Sequence, residues 1–346
     1  MKPVFNVNWR ASILIKSAGA IVSLWLITLI AFPKNDALTT ITQCMPPSTN
    51  PEMVFIPGGG FIMGSAHERS EEKPPIEVKV GDFWISKTEI TNGQFQTFVA
   101  ATGYTTLAER VPDPSNETIP PDQRIPGSVV FIPPVNQVVD SHMLSWWRFI
   151  AGANWRHPEG PNSDITSRKS HPVVHIAYED ALAYARWQGC DLPTEEQFEY
   201  VARGGLENKR FAWGDKFVPE GKHMANTWQG LFPFKNNGKD GHLTSAPVAC
   251  FPTNQYGLYD LIGNVWEWTT RPYYPSHRTI AAASSYGYDP HQPGLPVKVI
   301  KGGSFLCAPN YCARYRPAAR QAQDVGLGAS HIGFRIISNK TPTTGK

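Results

Sequence analysis

The segment Val299–Arg316 constrains the fold and the chemistry of this chain most strongly; it reads Val-Ile-Lys-Gly-Gly-Ser-Phe-Leu-Cys-Ala-Pro-Asn-Tyr-Cys-Ala-Arg-Tyr-Arg. The apolar run at its start predicts a strand. Gly302 and Gly303 then predict a tight turn, because residues with a Cβ resist many of the backbone conformations that such turns need. Cys307 and Cys312 follow with four residues between them. This order predicts a strand that delivers two thiols in one loop.

Two chemical interpretations suit this cysteine pair. Thiolates are soft donors that favour Cu(I) or zinc over hard cations. No third or fourth Cys or His stands nearby at zinc-finger spacing, which argues against a closed structural zinc site. In an exported chain the pair would commonly form a local disulfide. The residues alone leave both interpretations open.

The N-terminus has the pattern of an export signal. Residues 1–16 carry Lys2, Arg10 and Lys16, and residues 17–34 are mostly apolar. Positive charge ahead of an apolar run predicts a cytoplasmic N-terminus and an exported body. No clean cleavage site follows, which favours an uncleaved signal anchor over a removed signal peptide, and hence membrane attachment through this segment alone.

The rest of the chain divides into a polar linker (35–52), a folded domain (53–340) and a short tail (341–346). Cys44 is predicted to be an incidental thiol of the linker. Cys190 could pair with Cys250, but connectivity cannot be deduced from sequence.

Composition predicts a loop-rich fold with modest regular secondary structure, and the length allows one large domain or two. The 346 residues include 29 glycines and 31 prolines, above average usage. The 11 tryptophans and 17 phenylalanines predict an aromatic core. A formal net charge of +3 is too small to indicate nucleic-acid binding.

Local patterns predict several short elements. Thr91 with Gln94, and Thr194 with Gln197, have capping-box spacing and predict helix starts. Glycine predicts the ends of these helices. The remaining predictions are two strands within Met53–Gly64, strand structure in Val78–Ile90, a helix over Tyr178–Gln188 and a surface excursion over Asp113–Asp140.

These motifs resemble those of the formylglycine-generating enzymes, also called sulfatase-modifying factors. The resemblance rests on Lys301-Gly-Gly-Ser304, both cysteines of the loop, Arg314-Tyr-Arg316 and Gly333-Phe-Arg335, and it covers roughly Met53–Ile337. It is specific, because inactive relatives keep the fold motifs and lose the cysteines. It implies that the domain has the family's α+β fold, a relative of C-type-lectin-like folds.

The resemblance implies an activity and its reactants. The enzyme would use dioxygen to oxidise a cysteine in a Cys-x-Pro-x-Arg type motif of an unfolded sulfatase to Cα-formylglycine. Cys307 and Cys312 would hold Cu(I), and Ser304 would donate a hydrogen bond in the oxygen or substrate pocket. A thiol reductant would be needed. The exported body would work outside the cytoplasm, in the bacterial periplasm or an equivalent compartment.

Two structural calcium sites are also implied by the resemblance. Calcium binds six to eight oxygens from carboxylates and carbonyls. The first site would use Asn226, the Thr227 carbonyl, Asp240 and the His242 carbonyl; the second would use Asp260, the carbonyls of Gly263 and Val265, and Glu267.

The chain also departs from the family pattern. Cys190-Asp191 stands where the family usually has Lys-Arg, and His331 stands in place of its usual Asn. Two alternatives therefore accompany the main hypothesis: a non-catalytic module that binds peptides or sugars, and an oxidase of the same family that acts on another substrate. The arginines after Cys312 (Arg314, Arg316, Arg320 and Arg335) could form a peptide groove or pair with carboxylates of the fold.

Overall fold

The computed structural model describes residues 44–46, 48–113, 120–134, 146–277 and 286–340. The predicted basic region, the predicted anchor and most of the linker lie outside these ranges, as does the tail. Among the residues described, no helix has the length and apolar character needed to cross a bilayer. Residues Thr42–Lys346 form one compact unit.

The strands are short and form several small sheets. Their bounds are β1 (Met53–Ile56), β2 (Gly59–Met63), β3 (Ile76–Val80), β4 (Phe83–Ser86), β5 (Gly127–Phe131), β6 (Trp147–Ala151), β7 (Trp266–Pro272), β8 (Val297–Lys301), β9 (Arg320–Asp324), β10 (Ile332–Gly333) and β11 (Ile337–Ser338). One sheet has the order β1-β4-β11 and another the order β10-β7-β8-β9, while β2 pairs with β3 and β5 with β6. Only the β10–β7 pair is parallel among these.

Three α-helices lie within the described ranges: α1 (Asn92–Thr102), α2 (Tyr178–Trp187) and α3 (Glu195–Arg203). Both predicted capping boxes are confirmed. The Thr91 side chain accepts from the Gln94 amide and the Gln94 side chain accepts from the Thr91 amide, and Thr194 and Gln197 make the same exchange. Helix α1 ends at Gly103, in the left-handed conformation as predicted.

The two predicted strands within Met53–Gly64 are confirmed as β1 and β2, of which β1 pairs with β4 and β2 with β3. The excursion over Asp113–Asp140 contains strand β5, whose Val130 is buried. The prediction of a surface excursion is therefore wrong for this part, because β5 finds its partner in β6, which lies beyond the excursion.

Aromatic side chains fill the core, as composition predicted. Trp155, Trp266 and Trp268 are among the largest fully buried side chains. The Phe95 ring on α1 lies with its centroid 5.2 Å from that of Trp155 and 6.4 Å from that of Phe334. Helix α1 is thereby fixed against the C-terminal part of the domain.

The cysteines outside the loop pair differently from the prediction. Cys44 forms a disulfide with Cys250, and Cys190 is free and partly exposed. The predictions of an incidental linker thiol at Cys44 and of a possible Cys190–Cys250 bond are therefore wrong. The bond closes a sequence separation of 206 residues, and nothing in the local sequence of either cysteine indicates the partner.

Candidate active site

The loop that carries the cysteine pair starts from a fully buried inner strand of the larger sheet. Every residue of β8 is buried, and β8 lies between β7 and β9. Gly302 and Gly303 follow with φ of 92° and 77°. A Cβ on Gly303 would lie 2.8 Å from the Arg314 carbonyl oxygen. Glycine is therefore required on both steric and conformational grounds.

Backbone hydrogen bonds hold the first half of the loop. The Cys307 amide donates to the Ser304 carbonyl at 2.9 Å, and the Cys307 carbonyl accepts from the Trp228 amide at 3.1 Å. The Phe305 amide donates to the Asn264 carbonyl at 2.9 Å. The loop is thus attached to the two segments in which the calcium ligands are predicted.

Cys307 and Cys312 are joined by a disulfide, so their sulfurs lie side by side. Both residues line a cleft of about 550 Å³, although their exposed fractions are only 1% and 7%. Reduction would leave two adjacent thiols in a largely desolvated position. Among the residues described, no group of three or more His, Cys, Asp or Glu side chains converges as a metal site, so a metal held by this pair would keep an open coordination position.

Ser304 lies in the same cleft wall and is fully buried. Its hydroxyl oxygen accepts a hydrogen bond from the Leu306 amide at 3.3 Å. A hydroxyl can donate as well as accept, and the hydroxyl hydrogen is not used in this contact. The position therefore suits the predicted donor role.

The remainder of the cleft combines other residues of the cysteine loop with distant parts of the chain. Its lining is mainly aromatic and apolar, with two arginines and two glutamines: Arg69, Val129, Trp147, Trp266, Leu306, Tyr311, Arg314, Gln321, Gln323, Leu327, Ala329 and His331. Sequence reasoning missed Arg69 and Trp147 as cleft residues. No local signal marks either, because the cleft forms only when β6 and the loop before Glu71 meet the cysteine loop.

The two cleft arginines stabilise the second half of the cysteine loop. Arg69 Nη2 donates to the Cys312 carbonyl oxygen at 2.6 Å. Arg314 Nη2 lies 2.8 Å from the Glu71 carboxylate, with both side chains partly exposed. These contacts fix the backbone next to Cys312.

Three other arginines form buried ion pairs within the fold. Arg316 pairs with Glu72 at 2.6 Å, Arg320 with Glu195 at 2.7 Å and Arg335 with Glu267 at 2.7 Å, and all six side chains are 3% exposed or less. The alternative of a peptide groove built from these three side chains is therefore wrong, and the ion-pair alternative is confirmed for them.

The predicted ligands of the first calcium site lie together. The Asp240 carboxylate accepts from the Thr227 amide at 2.9 Å and from the His242 amide at 3.0 Å. The side-chain amide of Gln229 donates to the Thr227 carbonyl and to Asp240. Asn226 Oδ1 is buried without a hydrogen-bond partner among the described residues. Amide oxygens of this kind are among the ligands that calcium binds.

One predicted ligand of the second calcium site, Glu267, is paired with Arg335. Glu267 receives two hydrogen bonds from this guanidinium, at 2.7 and 2.8 Å. Asp260 accepts from the Ala249 amide at 2.6 Å, and burial raises the pKa of Asp260 to about 6. The predicted carbonyl donors follow along the same loop at Gly263 and Val265. A Cβ on Gly263 would lie 2.3 Å from the Asn226 carbonyl oxygen, so glycine is needed where the two loops meet.

Glu89 was missed by sequence reasoning and belongs to this cluster. It is fully buried, and neither of its carboxylate oxygens has a hydrogen-bond partner in the part of the chain that the structure describes. Burial, followed by the charges of Asp260 and Glu267, raises the pKa of Glu89 well above its ordinary value. Glu89, Asp260 and Glu267 thus all interact with the positive charge of Arg335, which donates its hydrogen bonds to Glu267.

Fold and site together define a mixed α+β domain of mostly irregular structure, with an aromatic-walled cleft that presents a reducible pair of cysteines. Residues 40–340 match the family described as the sulfatase-modifying factor enzyme 1-like domain. This chain belongs to the sulfatase-modifying factor family, which confirms the predicted family and fold.

Individual relatives agree with this assignment. The chain is 47% identical over 294 residues to the formylglycine-generating enzyme of Mycobacterium tuberculosis, covering 83% of this chain and 98% of that protein. It is 41% identical over 308 residues to the formylglycine-generating enzyme of Bos taurus, covering 86% and 78%. The structure of PvdO from Pseudomonas aeruginosa shares the fold, with a TM-score of 0.56 at 23% identity, covering 83% of this chain and 94% of PvdO.

Proposed function

We propose that this protein is a copper-dependent oxidase that converts a cysteine of an unfolded sulfatase, in a Cys-x-Pro-x-Arg type motif, to Cα-formylglycine. The observation that carries the proposal is the pair Cys307 and Cys312, whose sulfurs lie side by side in residues that line a cleft. Formylglycine generation is the activity in the names of both relatives. A cleft of about 550 Å³ is large enough for several residues of an extended polypeptide.

The electron balance explains the need for a thiol reductant. The reaction combines R–CH₂–SH, O₂, two electrons and two protons to give R–CHO, H₂S and H₂O. The thiol carbon supplies half of the electrons that dioxygen accepts, so a reductant must supply the other half. The same reductant would open the Cys307–Cys312 disulfide by thiol exchange.

The donor set in the cleft suits Cu(I). Two adjacent thiolates are soft ligands, and no third protein ligand converges on them among the described residues. When held by Cys307 and Cys312, Cu(I) would supply a position for the substrate sulfur and the means to activate dioxygen. Ser304 would orient one reactant by donating its hydroxyl hydrogen. The near-complete burial of both cysteines would keep water from the reacting sulfur.

The direct test is mass spectrometry of a synthetic peptide that contains the Cys-x-Pro-x-Arg motif. The peptide is incubated under air with the protein, Cu(I) and a thiol reductant, and the aldehyde is trapped with a hydrazide. We expect aldehyde at the motif cysteine only with copper and oxygen present. Peptide binding without aldehyde would favour a non-catalytic module.

One alternative substrate class has specific support from the sequence. Cys190-Asp191 and His331 depart from the family pattern, and His331 lies in the cleft itself. A family oxidase that acts on another thiol is therefore the second candidate. Oxidation of a small thiol, with the motif peptide left unchanged, would favour it.

We also propose that both calcium sites are structural. Asn226 Oδ1 and both Glu89 oxygens are buried acceptors without partners among the described residues, as expected of positions that a cation would satisfy. Calcium at 100 times its dissociation constant would add about 2.7 kcal/mol per site. We expect chelation to lower the melting temperature by about 5 °C or more.

The calcium test is a thermal melt with EDTA and then with added Ca²⁺ or Mg²⁺. Calcium should restore the melting temperature, and magnesium should not, because it demands a tighter octahedral shell. Asp240→Asn should reduce the calcium shift through the first site, and Glu89→Gln through the second. An identical melt in EDTA and calcium would contradict both sites.

We propose further that the protein works outside the cytoplasm, held at the membrane by residues 17–34. The disulfides Cys44–Cys250 and Cys307–Cys312 support this location, because disulfides persist in oxidising compartments. In cell fractionation the full-length protein should follow the inner membrane, and protease added to spheroplasts should degrade the body. Recovery of protected protein in the cytosol would contradict the location.

A further inference from the structure

The His331 side chain is held rigidly in the wall of the cleft that contains the cysteine pair. Its ring centroid lies 4.6 Å from that of Trp147, with the two planes 32° apart. The backbone is fixed on both sides, since the Ser330 amide donates to the Val129 carbonyl at 3.0 Å and the His331 carbonyl accepts from the Trp266 amide at 2.8 Å. Both His331 and Trp147 line the cleft, together with Ser304.

The imidazole has polar atoms that the fold does not use. His331 Nδ1 is buried and has no hydrogen-bond partner among the described residues. The residue is 8% exposed. Burial, and secondarily repulsion from His175, lowers the pKa of His331 to about 3. The ring is therefore neutral in the working range of pH and carries one hydrogen.

A hydrogen on Nδ1 would have no acceptor among the described residues, and a buried donor without a partner is costly. We therefore assign the hydrogen to Nε2, which leaves Nδ1 unprotonated and buried in the wall of the cleft. This tautomer leaves Nε2–H as the ring's donor toward a ligand in the cleft.

We propose that His331 is a positioning residue that donates a hydrogen bond from Nε2 to a backbone carbonyl of the polypeptide bound beside Cys307. The inference rests on the proposed function for the identity of the ligand. A neutral donor fits a neutral acceptor, and any extended peptide presents carbonyls regardless of its sequence. The apolar neighbours Val129, Leu327 and Ala329 would strengthen the bond by excluding water.

The test compares two replacements of His331. His331→Phe keeps a ring of similar shape against Trp147 and removes both nitrogens, whereas His331→Asn restores a side-chain donor. Binding is measured by fluorescence anisotropy with a motif peptide in which serine replaces the cysteine, so that no chemistry occurs. We expect His331→Phe to weaken binding roughly 3- to 10-fold, the effect of one neutral hydrogen bond. His331→Asn should recover part of the loss.

Peptides with a single backbone ester identify the acceptor. An ester carbonyl accepts hydrogen bonds more weakly than an amide carbonyl. One ester position should weaken binding to the wild-type protein and have little effect on His331→Phe. Copper affinity and melting temperature should be unchanged in both variants, which separates this contact from a structural role.

Two results would overturn the inference. If His331→Phe binds the serine peptide as tightly as the wild type, or if no ester position distinguishes the two proteins, the contact does not exist, while the proposed function stands. If the wild-type protein binds neither the motif peptide nor a scrambled one, both the proposed substrate and this contact are wrong.

Discussion

Either Cys307→Ser or Cys312→Ser is expected to abolish formylglycine formation in the copper-loaded protein. A serine hydroxyl is a hard and weakly acidic donor, so it does not replace a thiolate as a ligand of Cu(I). Even the loss of a residue that only hydrogen-bonds to a metal ligand typically lowers metal affinity or activity 10- to 100-fold. We therefore expect activity to fall by at least about 100-fold. The readouts are the trapped aldehyde and a Cu(I) competition titration, which should fall together.

Cys190→Ser is the matched control for this pair. Cys190 is a partly exposed free thiol that takes part in neither disulfide. The replacement should leave aldehyde formation and copper affinity unchanged. Full activity in Cys307→Ser or Cys312→Ser would exclude the pair as the reacting centre. Activity lost with copper affinity retained would instead assign the cysteines to a step other than metal binding.

The parts of the site that lie close together in sequence could be predicted, because their geometry is set locally. The glycine turn after β8 depends on Gly303 itself, and the capping boxes at Thr91 and Thr194 involve residues three positions apart. The sulfurs of Cys307 and Cys312 meet within one loop. Side-chain type and spacing were sufficient evidence for each of these features.

Features that depend on chain topology could not be predicted in the same way. Arg316 pairs with Glu72 across 244 residues, and Cys44 pairs with Cys250 across 206. From the sequence alone, the arginines after Cys312 could therefore equally contact a bound peptide or pair with carboxylates of the fold. Trp147 reaches the cleft only because β6 pairs with β5, and β5 lies beside the segment that carries His331. No periodicity in the sequence indicates these contacts between distant segments.

Arg335→Met is expected to cause a large loss of stability. Arg335 is fully buried; it donates twice to Glu267 and also contacts the Tyr259 carbonyl at 3.0 Å. Methionine fills much of the same space but leaves Glu267 without its cation, beside Asp260 and the unpartnered Glu89. Breaking a buried pair by removing one partner costs about 3–5 kcal/mol. The measurement is the free energy of unfolding in urea, in the presence of EDTA.

Two further variants show whether uncompensated charge is the cause. Arg314→Met removes a partly exposed pair with Glu71, and such pairs contribute at most about 1 kcal/mol. The double variant Arg335→Met with Glu267→Leu should be more stable than Arg335→Met alone, because it removes the carboxylate that the single change leaves buried. Added calcium should reduce the cost of Arg335→Met if the second site exists, since the ion would replace the lost positive charge among the same carboxylates. Equal losses in Arg335→Met and Arg314→Met would show that this cluster is solvated in the native protein, and the argument for a cation there would lose its basis.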